Sequence, residues 1–76
     1  MWLWLDTIKI KRKIKKDYKS GSPYTMVYFK DSTFEKEYKW IEHIKKFVRK
    51  NNIPVYFLHD IVYHEVRITY KRKEDQ

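Results

Sequence analysis

The stretch Thr7 to Lys16, TIKIKRKIKK, constrains this chain more than any other. Read with a period of two, it puts Ile8, Ile10, Arg12 and Ile14 on one side and Thr7, Lys9, Lys11, Lys13 and Lys15 on the other. Such alternation predicts a half-buried strand whose apolar side enters a core while the other side carries four aligned ammonium groups. Same-face neighbours on a strand lie about 6.6 Å apart, so the lysines would form a cationic rail of roughly 20 Å. Lysines on a strand also protect a sheet edge from pairing with other chains. The rail therefore has two readings, a contact for polyanions and a guarded edge.

At 76 residues the chain makes one small domain. A domain of this size buries only about 60% of the surface its unfolded chain exposes, so the core is thin. With no cysteine there is no disulfide framework and no thiolate site for zinc or redox chemistry, which favours an intracellular, cytoplasmic setting. The apolar run Trp2 to Leu5 is too short for a signal-peptide core, and no other stretch is long and apolar enough for a membrane span. Alanine is missing and glycine occurs once, whereas lysine, tyrosine and isoleucine abound. Stiff aromatic and β-branched residues favour sheet. The same composition fits a thermophile or an AT-rich genome, and in style it resembles small viral, archaeal or mobile-element proteins. That likeness transfers no residue. The formal charge of +8 favours polyanionic partners and says nothing about fold.

Taken in order, the chain predicts strand one over 2–18, a turn at Ser20-Gly21-Ser22-Pro23 and strand two over 24–30. A helix over 33–51 follows, with Ser32 as N-cap, Asp31 competing for that place and Glu35 completing a capping box. Phe34, Tyr38, Ile41, Ile44 and Val48 recur at helical spacing with Trp40 and Phe47 on one flank. Asn51-Asn52 ends the helix and Pro54 prevents its continuation. Strand three spans 54–58, His59-Asp60 forms a two-residue turn, strand four spans 61–71 and a polar tail covers 72–76. The expected fold is α+β: ββαββ, a four-stranded, mainly antiparallel sheet with one amphipathic helix packed on one face. One helix covers one face only. The uncovered face is where function is to be sought.

On that face the rail Lys9, Lys11, Lys13 and Lys15 would lie beside Tyr63, Arg67 and Lys71 of strand four. Ammonium groups gain affinity by releasing counterions from phosphates, and tyrosine can stack on an unpaired base. The expected function is nucleic-acid binding, to DNA or RNA, through backbone contacts with little sequence preference, because nothing is placed to read base edges. The outer side of the helix, with Lys36, Lys39, His43, Lys46 and Lys50, is a weaker second candidate. The chain lacks the aromatic signature of RNA-recognition motifs and the terminal helices of double-stranded-RNA domains.

Other constellations carry less. Trp2, Leu3, Trp4 and Leu5 are apolar on both faces of their strand, which predicts a homodimer contact. Glu37 projects with the apolar stripe and is expected to pair with a lysine or a hydroxyl at the rim of the core. His59, Asp60, His64 and Glu65 are metal-type ligands without a metal-site spacing. No glycine loop, nucleophile motif or paired acid points to catalysis, so the chain reads as a non-enzyme without metal or cofactor. The alternative function is a protein-interaction module, an inhibitor or adaptor that docks on an acidic protein through a sheet edge or the Trp2 to Leu5 segment.

Overall fold

A computed structural model describes residues 3–72, with side chains from Thr7 onward. Helix α1 spans Leu3–Ser20, strand β1 Tyr24–Tyr28, helix α2 Phe34–Lys50, strand β2 Val55–Asp60 and strand β3 Glu65–Tyr70. The strands form one antiparallel sheet in the order β1-β3-β2. The expected ββαββ fold with four strands is therefore corrected. The first element is a helix, and the sheet has three strands.

The reason lies in which residues of α1 are buried. Thr7 and Ile14 are buried, Ile10 and Tyr18 pack against the core, and Ile8 is exposed. Those positions recur every three or four residues, the spacing of one helix face, whereas a strand would bury Ile8 together with Ile10 and Ile14. A run of this length without a turn is also long for a strand, which seldom exceeds about 10 residues, and lysine, arginine and leucine are good helix formers. Lys13 reaches Asp17 one turn on at 3.5 Å. The glycine expected in a hairpin turn instead caps this helix. Gly21 has φ +86, its N–H donates to the Tyr18 carbonyl at 3.4 Å, and Ser22 N–H donates to the Asp17 carbonyl at 3.0 Å. This is a Schellman motif, in which only glycine takes the left-handed backbone without strain.

Helix α2 starts one residue later than expected. Thr33 is its N-cap, accepting the Lys36 N–H at 3.3 Å, in place of Ser32 or Asp31. Its buried face holds Glu37, Trp40, Ile41, Ile44 and Val48, so the stripe is rotated away from Phe34 and Tyr38, which are exposed. The helix ends on a second Schellman motif: Asn52, at φ 57, donates to the Arg49 carbonyl and Ile53 to the Val48 carbonyl. Ile53 then packs into the core beside Val48.

Strands β1 and β2 are both antiparallel to β3, so they run parallel to each other with β3 between them. Helix α2 carries the chain from one to the other, which makes a split βαβ unit. Ile14 of α1 and Ile41, Ile44 and Val48 of α2 join Val27, Val66, Ile68 and Tyr70 of the sheet in one core. Both helices thus cover the same face. Ile14, Ile44 and Ile68 are fully enclosed, and each contributes on the order of 2 kcal/mol by leaving water. Asp17 Oδ2, Thr25 Oγ1, the Tyr70 hydroxyl and the Ile14 carbonyl follow one another at hydrogen-bonding distance, with two hydroxyl protons shared among the three contacts, and so tie α1 to β1 and β3.

The turn before β3 is also longer than His59-Asp60. Residues 61–64 form it, and the Asp60 carboxylate accepts the N–H groups of Val62 and Tyr63 at 3.0 and 3.1 Å. His64 closes it with φ 53, its carbonyl accepting the Phe29 N–H at 2.8 Å.

Candidate nucleic-acid interface

The face of the sheet away from the helices carries alternate residues of each strand. From β1 come Tyr24, Met26 and Tyr28, from β3 Glu65, Arg67 and Thr69, and from β2 Tyr56, Leu58 and Asp60. Pairing arranges them in three rows across the sheet: Tyr24, Thr69 and Tyr56; then Met26, Arg67 and Leu58; then Tyr28, Glu65 and Asp60. Tyr24, Tyr28, Tyr56 and Leu58 are exposed, so this face is an open surface of tyrosines without a covering layer among the described residues.

Two cations lie against the aromatic rings. Lys71 Nζ is 4.3 Å from the centroid of Tyr56, and the Arg67 guanidinium is 5.2 Å from that of Tyr24. The face is polarised along the strands. Lys71, Tyr24 and Tyr56 occupy one end, Arg67 in the middle row leans its guanidinium toward Tyr24, and Asp60 and Glu65 stand beside Tyr28 at the other end. At the edge of β2 the basic end continues into a cleft of about 370 Å³, where Lys45 and Arg49 of α2 face Lys71. Lys45 is tied to Glu42 at 3.3 Å through an exposed ion pair of little strength.

The seven expected binding residues are not brought together. Arg67 and Lys71 lie on the open face, whereas Tyr63 is in the exposed turn after β2. Lys9 and Lys13 line a cleft between α1 and β1 with Lys30. Lys11 and Lys15 lean over the Phe47 ring at 5.4 and 5.8 Å in the seam between the helices. The four-lysine rail is corrected accordingly: successive residues of a helix point about 100° apart, so no straight row of the four exists. In the same seam, desolvation and the charges of Lys11 and Lys46 hold the His43 imidazole below its ordinary pKa. Trp2 lies outside the described residues, as do the side chains of Leu3, Trp4 and Leu5. The backbone of those three residues begins a helix, so the argument from a strand with two apolar faces does not hold for them.

Glu37 has different partners from those expected. Its fully buried carboxylate meets His59 Nε2 at 2.8 Å and His64 Nδ1 at 2.5 Å. Burial pushes the carboxyl up, but the two imidazole hydrogen bonds and the histidines' charge push it further down, and it ends below the ordinary carboxylate value. His59 is also stacked on Phe34 at 5.5 Å. The three groups pin α2 to β2 and to the turn before β3. Among the described residues no group of three or more metal-type ligands converges on a point where an ion could sit.

Sequence reasoning reached Arg67 and Lys71 through the alternation of β3, but passed over Tyr24, Tyr28 and Tyr56. The signal for the first two was present, since YTMVY alternates tyrosine, methionine and tyrosine against threonine and valine. Lys45 and Arg49 gave no local signal, because their place beside Lys71 follows from how α2 lies on β2. Among the described residues, no helix is long and apolar enough to cross a membrane. Comparison with protein-family models, with curated proteins and with solved structures finds no match to this chain.

Proposed function

We propose that this chain is a small nucleic-acid-binding protein that makes largely sequence-independent contacts to the phosphate backbone through the open face of its sheet. The observation that carries this reading is the pairing of exposed tyrosines with cations at one end of that face, Tyr56 with Lys71 and Tyr24 with Arg67. The formal charge of +8 draws the polyanion in, and the rings offer its bases a surface. A homodimer through Trp2, Leu3, Trp4 and Leu5 belongs to the same proposal and rests on their apolar sequence alone.

A second reading has an observation of its own. Leu58, Ile61, Val62 and Tyr63 are all exposed around the β2–β3 turn, an apolar knuckle that suits an acidic protein partner with an apolar pocket. One experiment separates the two. Arg67→Gln with Lys71→Gln should abolish the absorbance of copurifying nucleic acid that high salt otherwise strips from the wild type. Wild-type protein free of nucleic acid and inert toward added DNA and RNA would favour the protein partner.

A further inference from the structure

We infer that the nucleic acid is single-stranded and that it turns at Tyr56, with a base stacked on the open sheet face and the neighbouring phosphates in the β2-edge cleft among Lys71, Arg49 and Lys45. This rests on the nucleic-acid reading above and adds to it the form of the strand and its path.

Shape gives the first argument. A major groove admits a helix or a two-stranded ribbon, and the tyrosine-bearing surface here is the flat face of a three-stranded sheet. A duplex also hides the π-faces of its bases, which is the part of a base that a tyrosine ring can use. Unstacked bases of a single strand present them.

Register gives the second. Tyr24 and Tyr56 stand on either side of Thr69, so their attachment points are two strand spacings apart, about 10 Å. That span takes one or two bases, with the Thr69 hydroxyl between the rings as a hydrogen-bonding group. The Arg67 guanidinium against Tyr24 is planar and can stack on a base in turn.

Charge gives the direction. Along the sheet face toward the Tyr28 row a phosphate would meet Glu65 and Asp60, which repel it, and the lysines at the β1 edge beyond Tyr28 share their cleft with Asp31. Across the β2 edge it meets Lys71, then Arg49 and Lys45 in the cleft. Arg49 has no ion pair among the described residues, and Lys45 gives up only an exposed one. Val55 and Phe57 line the same cleft, and among the described residues no carboxylate lines it.

The test uses the full chain with fluorescent oligothymidine and oligouridine of about 12 nucleotides, and a mixed-sequence duplex of the same length. The single strands should bind at least about tenfold more tightly than the duplex, and Tyr56→Leu should remove about tenfold or more of the single-strand affinity, a larger factor than it removes from duplex binding. Lys45→Gln with Arg49→Gln should make the salt dependence on single strands shallower by roughly 0.7 per lost contact. Bromouracil photocrosslinking of the wild-type protein, read by mass spectrometry, does not depend on how a variant folds and should mark the peptides holding Tyr56 or Tyr24. Crosslinks confined to the helices, or duplex preferred over single strand with Tyr56→Leu inert, would overturn the single-strand path while leaving nucleic-acid binding intact. Absence of binding to all three probes would instead remove the underlying reading.

Discussion

Lys71 Nζ lies 4.3 Å from the centre of the Tyr56 ring, on the sheet face that neither helix covers. Tyr56 is an exposed residue of β2, and Lys71 follows the last residue of β3, where its N–H donates to the Pro54 carbonyl at 2.9 Å. A cation on an exposed ring contributes only about 0.5–1 kcal/mol, so a phosphate and a base can take over both partners at small cost. The pair holds a charge beside a stacking surface before any ligand arrives.

The helix lysines should matter less than the sheet cations. Replacing Lys9, Lys11, Lys13 and Lys15 together by glutamine lowers the net charge by about four and should weaken encounter with any polyanion by a modest factor. Arg67→Gln with Lys71→Gln removes half as many charges and should cost more affinity, because in the proposed complex these two meet the phosphates. Equilibrium titrations of both variants at one salt concentration check this, and a larger loss in the helix variant would move the site to the helical layer.

Glu37→Gln should destabilise the protein by about 3 kcal/mol at neutral pH, since it replaces a buried carboxylate bound to two imidazoles. The pH dependence has a definite sign. The folded carboxyl sits below its ordinary value of 4.5, so its contribution is complete above that value and is lost as the pH falls through the lower folded one. Melting of the wild type should therefore drop on acidification below about pH 4.5, and that component should be missing from the variant. Identical melting profiles for the two proteins would show that the cluster contributes nothing.

Tyr70→Phe should cost about 1–2 kcal/mol. The Tyr70 hydroxyl is buried against the Thr25 hydroxyl and 3.2 Å from the Ile14 carbonyl, so its removal takes from both a partner that solvent does not replace, although the Ile14 carbonyl keeps its bond within α1. Burial raises the pKa of this phenol, as does the charge of Asp17, against the opposing pull of the Thr25 hydrogen bond and Arg72. Urea unfolding reads the loss directly, and an unchanged midpoint would contradict the role given to the network.

Trp2→Ala with Trp4→Ala should lower the mass found by sedimentation without loss of helical signal, as expected if aromatic anchors hold two copies together. A wild type that sediments as a monomer at high concentration would end the dimer proposal.

How much of this was legible differs by element. Helix α2 and the alternation of Val66, Ile68 and Tyr70 against Glu65, Arg67 and Thr69 were open to inspection, because each buries one face and leaves the other wet. Residues 7–16 misled for a physical reason: isoleucine and lysine alternate there, while burial selects Thr7, Ile10, Ile14 and Tyr18 at helical intervals. Length favoured the helix as well. The joining of Glu37 to His59 and His64 could not be read, since the partners stand 22 and 27 residues away and no local spacing links them. The cleft shared by Lys45, Arg49 and Lys71 is tertiary in the same sense.

The central claim is tested most directly by the affinity of the wild-type protein for oligothymidine, measured as salt is raised from about 50 mM to 200 mM. With about three or four phosphates neutralised, the log-log slope should be near −2 to −3 on a single strand. Binding that ignores salt, or none at about 50 mM, would contradict a phosphate-contacting face built on Arg67 and Lys71.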